Sequence, residues 1–234
     1  MSREFVPIIR KSGFRNAEKF FILSYEGKVT EKKYFEDLRT SDYFNDSGKI
    51  EMISLPSKVK EGTAPTFVKA RLNEAKKEYR FKETDEFWLI IDKDHWEDNQ
   101  HISLLDVYES CSHEKNFHIA LSNPCFEIWL ILHLVKLSDI SEKDKKNIGD
   151  NKKVSERKNF IDVFLANLID KERNDGKQRG YNKRPNPQIF LPKVRNAIAN
   201  AQEIPEKHGL YLETIGTHIY KLVEKLIKPV TLSE

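Results

Sequence analysis

Residues 87–94 read Phe-Trp-Leu-Ile-Ile-Asp-Lys-Asp, and this stretch decides the fold class of the 234-residue chain. An apolar run bounded by charge on both sides is typical of a buried strand in a parallel sheet. Asp92 and Asp94 follow the run, and their spacing on an extended backbone places both carboxylates on the same side. Ligands of open α/β sheets bind beyond the carboxyl ends of strands, where this pair is predicted to lie. The pair either holds a cation there or is a charged strand end that turns into a loop.

A second predicted strand also ends in an acidic residue. Residues 19–25 form a short, largely apolar run that is closed by Glu26 and a glycine. Thr30 is expected to cap the following helix, because its hydroxyl can accept a backbone N–H of the first turn. If the two strands are neighbours in one parallel sheet, Glu26, Asp92 and Asp94 converge at one edge. Carboxylate oxygens suit Mg²⁺ or Mn²⁺, so the sequence predicts a metal site there.

The rest of the chain alternates between strands and helices as far as residue 137. Further strands are predicted at 49–55 and 117–121, and helices at 66–80 and 102–114. This alternation predicts an α/β fold, a parallel sheet flanked by helices. Beyond residue 138 the pattern is helical only, with helices predicted at 155–168, 193–202 and 218–227. We therefore expect an α/β core over residues 1–137 and a mostly helical, basic extension over 138–234 that packs back on the core.

One more helix is predicted to begin beside the acidic edge. Asn123 is expected to cap it, with Pro124 at the first helical position. His133 falls on the apolar stripe of this helix and is best explained as a hydrogen-bonded core histidine. Glu127 lies off the stripe and close to the strand ends. It either interacts with the positive end of the helix or positions a metal or water.

The acidic segments resemble a Toprim domain. The resemblance rests on an apolar strand followed by Glu26-Gly27, then Thr30-Glu31, and much later Asp92-Lys93-Asp94. Three later segments resemble blocks of the RloB-like proteins: Leu121-Ser122-Asn123-Pro124-Cys125-Phe126-Glu127 with the residues up to His133, Tyr181-Asn182-Lys183, and the stretch from Gly216 to Val223. Together the resemblance runs from Phe20 to Leu226.

The resemblance implies a function and assigns roles. It implies a Toprim-like, Mg²⁺- or Mn²⁺-dependent nuclease of bacterial abortive-infection (antiviral) defence, often found beside a partner ATPase. Asp92 and Asp94 would hold the metal, and Glu26 would be a further ligand or a general acid or base. Glu127 would complete the acidic group. Lys183 would contact the phosphate under attack, unless it is an ordinary loop cation.

The net charge of +3 hides a strong asymmetry. Residues 143–195 carry 15 Lys and Arg against 7 Asp and Glu, a local balance of +8, so the remainder carries −5. Such a region favours binding to nucleic acid, although a solvated lysine-rich face has the same composition. DNA and RNA, including tRNA, both remain open as substrates. The predicted nucleic-acid contacts are Tyr181, Lys183, Arg184, Lys152, Lys153, Arg157 and Lys158.

Two roles are open for Tyr181. It could stack on a base of the nucleic acid, or it could anchor its loop by packing.

Several protein classes are disfavoured. No apolar run approaches the ~20 residues of a membrane span, and with no apolar signal-peptide core we expect a cytoplasmic protein without a membrane partner. Cys111 and Cys125 fit a reducing compartment and cannot form a structural zinc module alone, which disfavours a bacterial-type primase. A type-I topoisomerase needs a second large module, and nucleotide hydrolysis needs a phosphate-binding loop that this chain lacks. A non-catalytic Toprim-fold binding or sensor subunit of a defence complex is the remaining alternative to a nuclease.

Overall fold

The computed structural model describes residues 17–56, 64–78, 81–93, 104–206 and 214–229. In chain order its elements are β1 (Lys19–Tyr25), α1 (Thr30–Arg39), β2 (Ile50–Ser54), α2 (Pro65–Glu78), β3 (Glu86–Asp92), α3 (Leu104–Ser112), β4 (Phe117–Asn123), α4 (Glu127–Leu134), α5 (Glu142–Asp150), β5 (Lys153–Ser155), β6 (Lys158–Asn159), α6 (Phe160–Arg173), α7 (Pro187–Phe190), α8 (Val194–Gln202), β7 (Gly216–Thr217) and α9 (Ile219–Leu226). Within these residues the main sheet has the order β2-β1-β3-β4-β7. The predicted α/β fold, a parallel sheet with helices around it, is confirmed.

The strand register aligns the ends that carry the acidic residues. β1 pairs in parallel with both β2 and β3, and β3 pairs in parallel with β4, whereas the short β7 is antiparallel to β4. Tyr25 is aligned with Ile90, and the N–H of Glu26 donates to the carbonyl oxygen of Ile90 at 2.9 Å. The carboxyl ends of β1 and β3 therefore meet at one edge of the sheet, which we call the carboxyl edge.

Both faces of the sheet are buried, as continuous apolar strands require. Phe20 and Phe87 belong to the hydrophobic cluster that includes α2 and α3. Phe21 and Trp88, one position along, belong to the larger cluster that includes α4, α6, α8 and α9. Because successive side chains of a strand point to opposite faces, β1 and β3 each contribute to both clusters.

The larger cluster is continuous across the predicted domain boundary. It contains residues from Phe21 to Ile227, and α8 and α6 both contact α4. The division at residue 137 stays a prediction, while the C-terminal helices do pack against the sheet. Among the residues that the structure describes, none of the helices has both the length and the apolar character that crossing a bilayer requires.

Two predicted helix caps are wrong. Helix α1 begins at Thr30 itself and Val29 precedes it, while the Thr30 hydroxyl donates to the carbonyl of Lys183 at 3.0 Å. Asn123 does not cap α4, which begins at Glu127 after a turn with a cis Asn123–Pro124 peptide. The Asn123 side chain donates instead to the carbonyl of Thr214 at 3.0 Å. The side chains of Thr30 and Asn123, which the sequence predicted to cap helices, thus form hydrogen bonds with distant parts of the chain.

The predicted helix at 155–168 begins later than expected. Residues 153–159 form a small antiparallel hairpin of β5 and β6, and α6 starts only at Phe160. Asn159 and Asp162 form a reciprocal capping box, which fixes the helix start at this point. Ser155, the predicted first residue of this helix, lies in β5.

Candidate active site

The carboxyl edge brings Glu26 and Asp92 together. Glu26 follows β1, and its Oε2 accepts the backbone N–H of Asp92 at 3.1 Å. Asp92 is the last residue of β3 and is aligned with Ser122 of β4. Asp94 lies outside the described residues. The convergence expected from two parallel neighbouring strands is therefore present for the two acidic residues that the structure describes.

Glu31 is a third carboxylate at this edge, and the sequence did not single it out. It is 4 % exposed, and its Oε1 accepts the N–H of Gly27 at 3.0 Å. A Cβ at position 27 would lie 2.2 Å from Glu31 Oε2, so glycine is needed for this close approach. Burial raises the pKa of Glu31 to about 7, with the charge of Glu127 adding to burial and backbone N–H groups and Lys183 opposing it. Glu31 therefore exchanges a proton near neutral pH.

Glu127 lies deep in the site at the first position of α4. It is 4 % exposed, and its Oε1 is 2.9 Å from the ammonium nitrogen of Lys183. Burial raises the pKa of the neighbouring Cys125 thiol well above its ordinary value, and the charges of Glu127 and Asp92 raise it further. The carboxylates of Glu127 and Asp92 are therefore both close enough to the Cys125 thiol to raise its pKa. Glu127 therefore has the ammonium of Lys183 as a partner in addition to the positive end of its helix.

Lys183 is held by a second buried carboxylate. Its Nζ is 2.5 Å from Oδ1 of Asp162, in the first turn of α6. The side chains of Glu127 and Asp162 are only 5 % and 6 % exposed, whereas that of Lys183 is 47 % exposed. Burial lowers the pKa of Lys183, but the charge of Glu127 and the contact with Asp162 outweigh it and hold the pKa above its ordinary value. The Lys183 ammonium is therefore held by two buried carboxylates, while a large part of the lysine side chain stays accessible to solvent.

The loop that carries Lys183 is docked onto the start of α1. Lys183 has a left-handed backbone with φ 62°, and its carbonyl accepts the Thr30 hydroxyl. Tyr181 is 7 % exposed, which favours packing over base stacking because a buried ring offers no free face. Arg184 is exposed and open to a ligand.

The predicted basic contacts lie on the hairpin of β5 and β6 and just before it. Lys152, Lys153 and Arg157 are exposed, and Lys158 is partly buried. The ammonium of Lys158 lies 3.1 Å from the position that a Cβ on Gly180 would take. The hairpin therefore lies against the loop that carries Lys183.

The described residues supply only part of a metal site. Over the described ranges there is no group of three or more His, Cys, Asp or Glu side chains arranged to hold a metal ion. Glu26 and Asp92 offer the hard oxygen donors that Mg²⁺ and Mn²⁺ prefer. The third predicted ligand, Asp94, falls outside those ranges. A metal at this edge is chemically compatible with Glu26 and Asp92 and stays a prediction.

His133 is a core histidine, as predicted. It is 2 % exposed, and its Nδ1 lies 2.8 Å from the carbonyl of Trp129. Its Nε2 lies 3.1 Å from the hydroxyl of Tyr34. Burial lowers the pKa of His133 to about 3, so the ring is neutral and Nδ1 donates to the carbonyl.

Sequence reasoning missed Glu31 and Asp162. Glu31 belongs to the Thr30-Glu31 segment of the Toprim resemblance, which assigns it no role. Asp162 follows Asn159 by three residues, which is the spacing of an ordinary helix cap. The signal that each of them offers is an acidic residue in the first turn of its helix.

Glu31→Gln is expected to remove a pH-dependent cost to folding. Because the folded-state pKa is raised from 4.5 to about 7, the native state binds more protons than the unfolded state between these values. Stability is therefore lost as pH rises through this window. The glutamine side chain keeps an oxygen for the Gly27 N–H, so the variant should be more stable than wild type at pH 8 by roughly 1 to 3 kcal/mol, and about equal at pH 4.5. Urea unfolding in EDTA at several pH values measures this difference.

Glu36→Gln is the matched control on the same helix. The Glu36 side chain is 51 % exposed and pairs only loosely with Lys32 at 3.7 Å. Its stability difference from wild type should not change between pH 4.5 and 8 by more than a few tenths of a kcal/mol. A Glu31→Gln difference as flat as that of the control would show that Glu31 is not strongly perturbed.

Comparison with known protein families gives one result. A family model described as RloB-like protein matches residues 21–226, which is most of the chain and all of the candidate site. The comparisons with curated proteins and with solved structures give no match.

Proposed function

Because the chain belongs to the RloB-like protein family, we propose that it is a Toprim-type, Mg²⁺- or Mn²⁺-dependent nuclease. It would hydrolyse phosphodiester bonds of nucleic acid in the bacterial cytoplasm during abortive-infection defence against phage, with an ATPase as partner. The observation that supports this most is the meeting of Glu26 and Asp92 at the carboxyl edge, beside a half-exposed Lys183.

The acidic residues would bind the metal and handle protons. Asp92 and Asp94 are the proposed metal ligands, with Glu26 as a further ligand or as general acid or base. A bound metal would lower the pKa of its water and neutralise charge on the phosphate oxygens. Glu31 can take up or release a proton at neutral pH, because its pKa is about 7. We assign to Glu127 the role of holding Lys183, its ion-pair partner.

Lys183 would stabilise the charge that develops on the phosphate. Two buried carboxylates hold its ammonium, and the side chain is 47 % exposed. A fixed cation needs little reorganisation as the reaction proceeds, so it can favour the transition state over the bound substrate. Arg184 and four basic residues on or just before the hairpin, which we call the hairpin cations, would hold the backbone of the nucleic acid on either side of Lys183. The hairpin cations are Lys152, Lys153, Arg157 and Lys158.

The direct test is cleavage by the purified wild-type chain. Plasmid DNA, single-stranded DNA and total tRNA are incubated with Mn²⁺, Mg²⁺ or EDTA, and the product ends are sequenced. We expect cleavage of at least one class in Mn²⁺ and none in EDTA. Cleavage that continues at the same rate in EDTA would contradict metal dependence.

A second candidate is a non-catalytic binding subunit of a defence complex. In its favour, Glu127 already has the ammonium of Lys183 as an ion-pair partner, so it does not need a metal ion to be buried. Calorimetry with Mn²⁺ separates the two functions. Absence of binding at millimolar Mn²⁺, together with no cleavage of any nucleic acid, would favour the binding subunit.

The hairpin cations are expected to govern affinity for substrate. Each phosphate contact releases counterions, so the logarithm of the binding constant falls with the logarithm of salt concentration by roughly 0.7 to 0.9 per contact. Replacing all four cations with Gln should therefore flatten this slope by about 3 and raise KM, with little change in the single-turnover rate at saturation. Fluorescence anisotropy at several salt concentrations measures the slope. The four replaced residues are Lys152, Lys153, Arg157 and Lys158.

The control removes the same charge at the opposite edge of the sheet. Four exposed lysines stand there, at or near the ends where the parallel strands begin: Lys49, Lys77, Lys82 and Lys115. Their replacement by Gln should leave the salt slope close to that of wild type. Equal slopes for wild type and the hairpin variant would identify the hairpin as solvated surface only.

A further inference from the structure

Asp162 has two separate contacts, one on each carboxylate oxygen. Its Oδ2 accepts the N–H of Asn159 at 3.1 Å and so closes the cap of α6. Its Oδ1 is 2.5 Å from Nζ of Lys183. Helix capping explains only the first contact, which a neutral oxygen acceptor can also make. The charge of Asp162 is also favourable at the start of α6, but only the ion pair with Lys183 accounts for the second contact.

The position of the lysine ammonium depends on these contacts. A lysine side chain has four rotatable carbons and loses substantial conformational freedom when its end is fixed. Glu127 and Asp162 are on different helices, α4 and α6, and both are nearly fully buried. Two rigid carboxylates from different elements define one location for the ammonium, whereas a single partner leaves it free to rotate about that partner.

The lysine backbone is held as well. The Thr30 hydroxyl donates to the Lys183 carbonyl, and Tyr181 is packed two residues earlier. Main chain and side-chain end are thus fixed independently, in a residue whose side chain is 47 % exposed. This arrangement is typical of a group that is presented to a ligand.

We infer that Asp162 is a positioning residue, which together with Glu127 holds the Lys183 ammonium at the carboxyl edge for contact with the substrate phosphate. The inference rests on the proposed nuclease function, and it assigns to Asp162 a role in the reaction beyond capping α6. Asp162 itself does not touch the substrate.

Asp162→Asn separates the two roles. The Asn oxygen can still accept the Asn159 N–H, while the charge that holds Lys183 is lost. We expect the single-turnover rate at saturating substrate to fall about tenfold, with little change in KM. Asp162→Glu, which restores the charge on a longer side chain, should recover part of this rate.

A double-mutant cycle with Lys183→Ala tests whether Asp162 acts through the lysine. In the Lys183→Ala background, Asp162→Asn should lower the rate by less than about twofold, because its partner is already gone. A structural role that is independent of Lys183 gives the same loss in both backgrounds, and that result would overturn the inference.

Asp144→Asn is the matched control for the cap. Asp144 occupies the same third position of α5, where its carboxylate accepts the hydroxyl of the N-cap residue Ser141 at 2.8 Å. This variant should keep the wild-type single-turnover rate. If it lowers the rate as much as Asp162→Asn does, the effect belongs to helix capping and the inference fails.

Amine labelling of Lys183 gives a readout that does not need nuclease activity. An amine-reactive acylating reagent at pH 9, followed by mass spectrometry of the Lys183 peptide, reports how freely the amine reacts. Loss of the Asp162 charge should raise the labelling rate severalfold in the folded variant, while Asp144→Asn should leave it unchanged. An unchanged rate in Asp162→Asn contradicts the inference. If wild type cleaves nothing but labelling rises, the proposed function fails while the hold of Asp162 on Lys183 stands.

Folding of the variant is checked by circular dichroism. If Asp162→Asn does not fold, Asp162→Ser supplies a short oxygen acceptor for the cap without the charge and enters the same cycle and labelling comparison. Equal labelling of Lys183 in wild type and in the folded serine variant contradicts the inference.

Discussion

Asp92→Ala combined with Asp94→Ala is expected to abolish cleavage while the fold is kept. The two carboxylates are the proposed metal ligands, and a catalytic metal contributes several kcal/mol of transition-state stabilisation. The loss should therefore be about a thousandfold or more in rate. Cleavage of plasmid DNA and total tRNA in Mn²⁺ measures it, and calorimetry should show that Mn²⁺ binding is lost in parallel.

The structure explains why this variant should fold. Glu26 accepts the backbone N–H of Asp92, a hydrogen bond that alanine retains. Removing the negative charge of Asp92 beside Glu26 also relieves repulsion in the metal-free protein, so the melting temperature in EDTA should stay equal or rise.

Two exposed acidic residues before β3, Glu78 and Glu83, provide the control for lost negative charge. Their replacement by alanine should leave both cleavage and Mn²⁺ binding at the wild-type level. If the Asp92 and Asp94 variant cuts at the wild-type rate in Mn²⁺, the carboxyl edge is not the catalytic site.

The position of the acidic edge could be predicted because it follows from strand chemistry. Apolar runs before Glu26 and Asp92 predicted two buried strands, and the alternation of strands with helices predicted that they are parallel. Parallel neighbours end at the same edge, and the register of Tyr25 with Ile90 confirms this. This part of the site required only local sequence and a general rule of topology.

The surroundings of Lys183 could not be predicted because they are set by packing between distant segments. The lysine is 56 residues from Glu127 and meets it only when its loop docks onto α1 and α4. Asp162 and Thr30 carry local signals for helix caps, and Asp162 does close a cap while also holding the lysine. Thr30 caps nothing and instead holds the lysine backbone. Sequence indicates which residues can form hydrogen bonds but does not choose between a local and a distant partner.

Lys183→Ala is expected to lower the chemical step rather than the affinity. A positioned cation that contacts the phosphate stabilises charge that develops in the transition state, and removal of one such group costs about a hundred- to a thousandfold in rate. The single-turnover rate at saturating substrate should fall by this factor, whereas KM should change little. The hairpin variant should show the opposite division, with KM raised and the saturated rate kept.

Loss of stability must be separated from loss of catalysis in this variant. Alanine leaves Glu127 and Asp162 buried and without their shared cation, which costs free energy of folding even after the half-exposed position of Lys183 is allowed for. Lys183→Arg keeps the charge and most of the stability, although its planar guanidinium cannot reproduce the ammonium position. We therefore expect a melting temperature near that of wild type for arginine, a lower one for alanine, and reduced saturated rates for both. A wild-type saturated rate in folded Lys183→Ala would mean that this lysine only stabilises the two buried carboxylates and takes no part in the reaction.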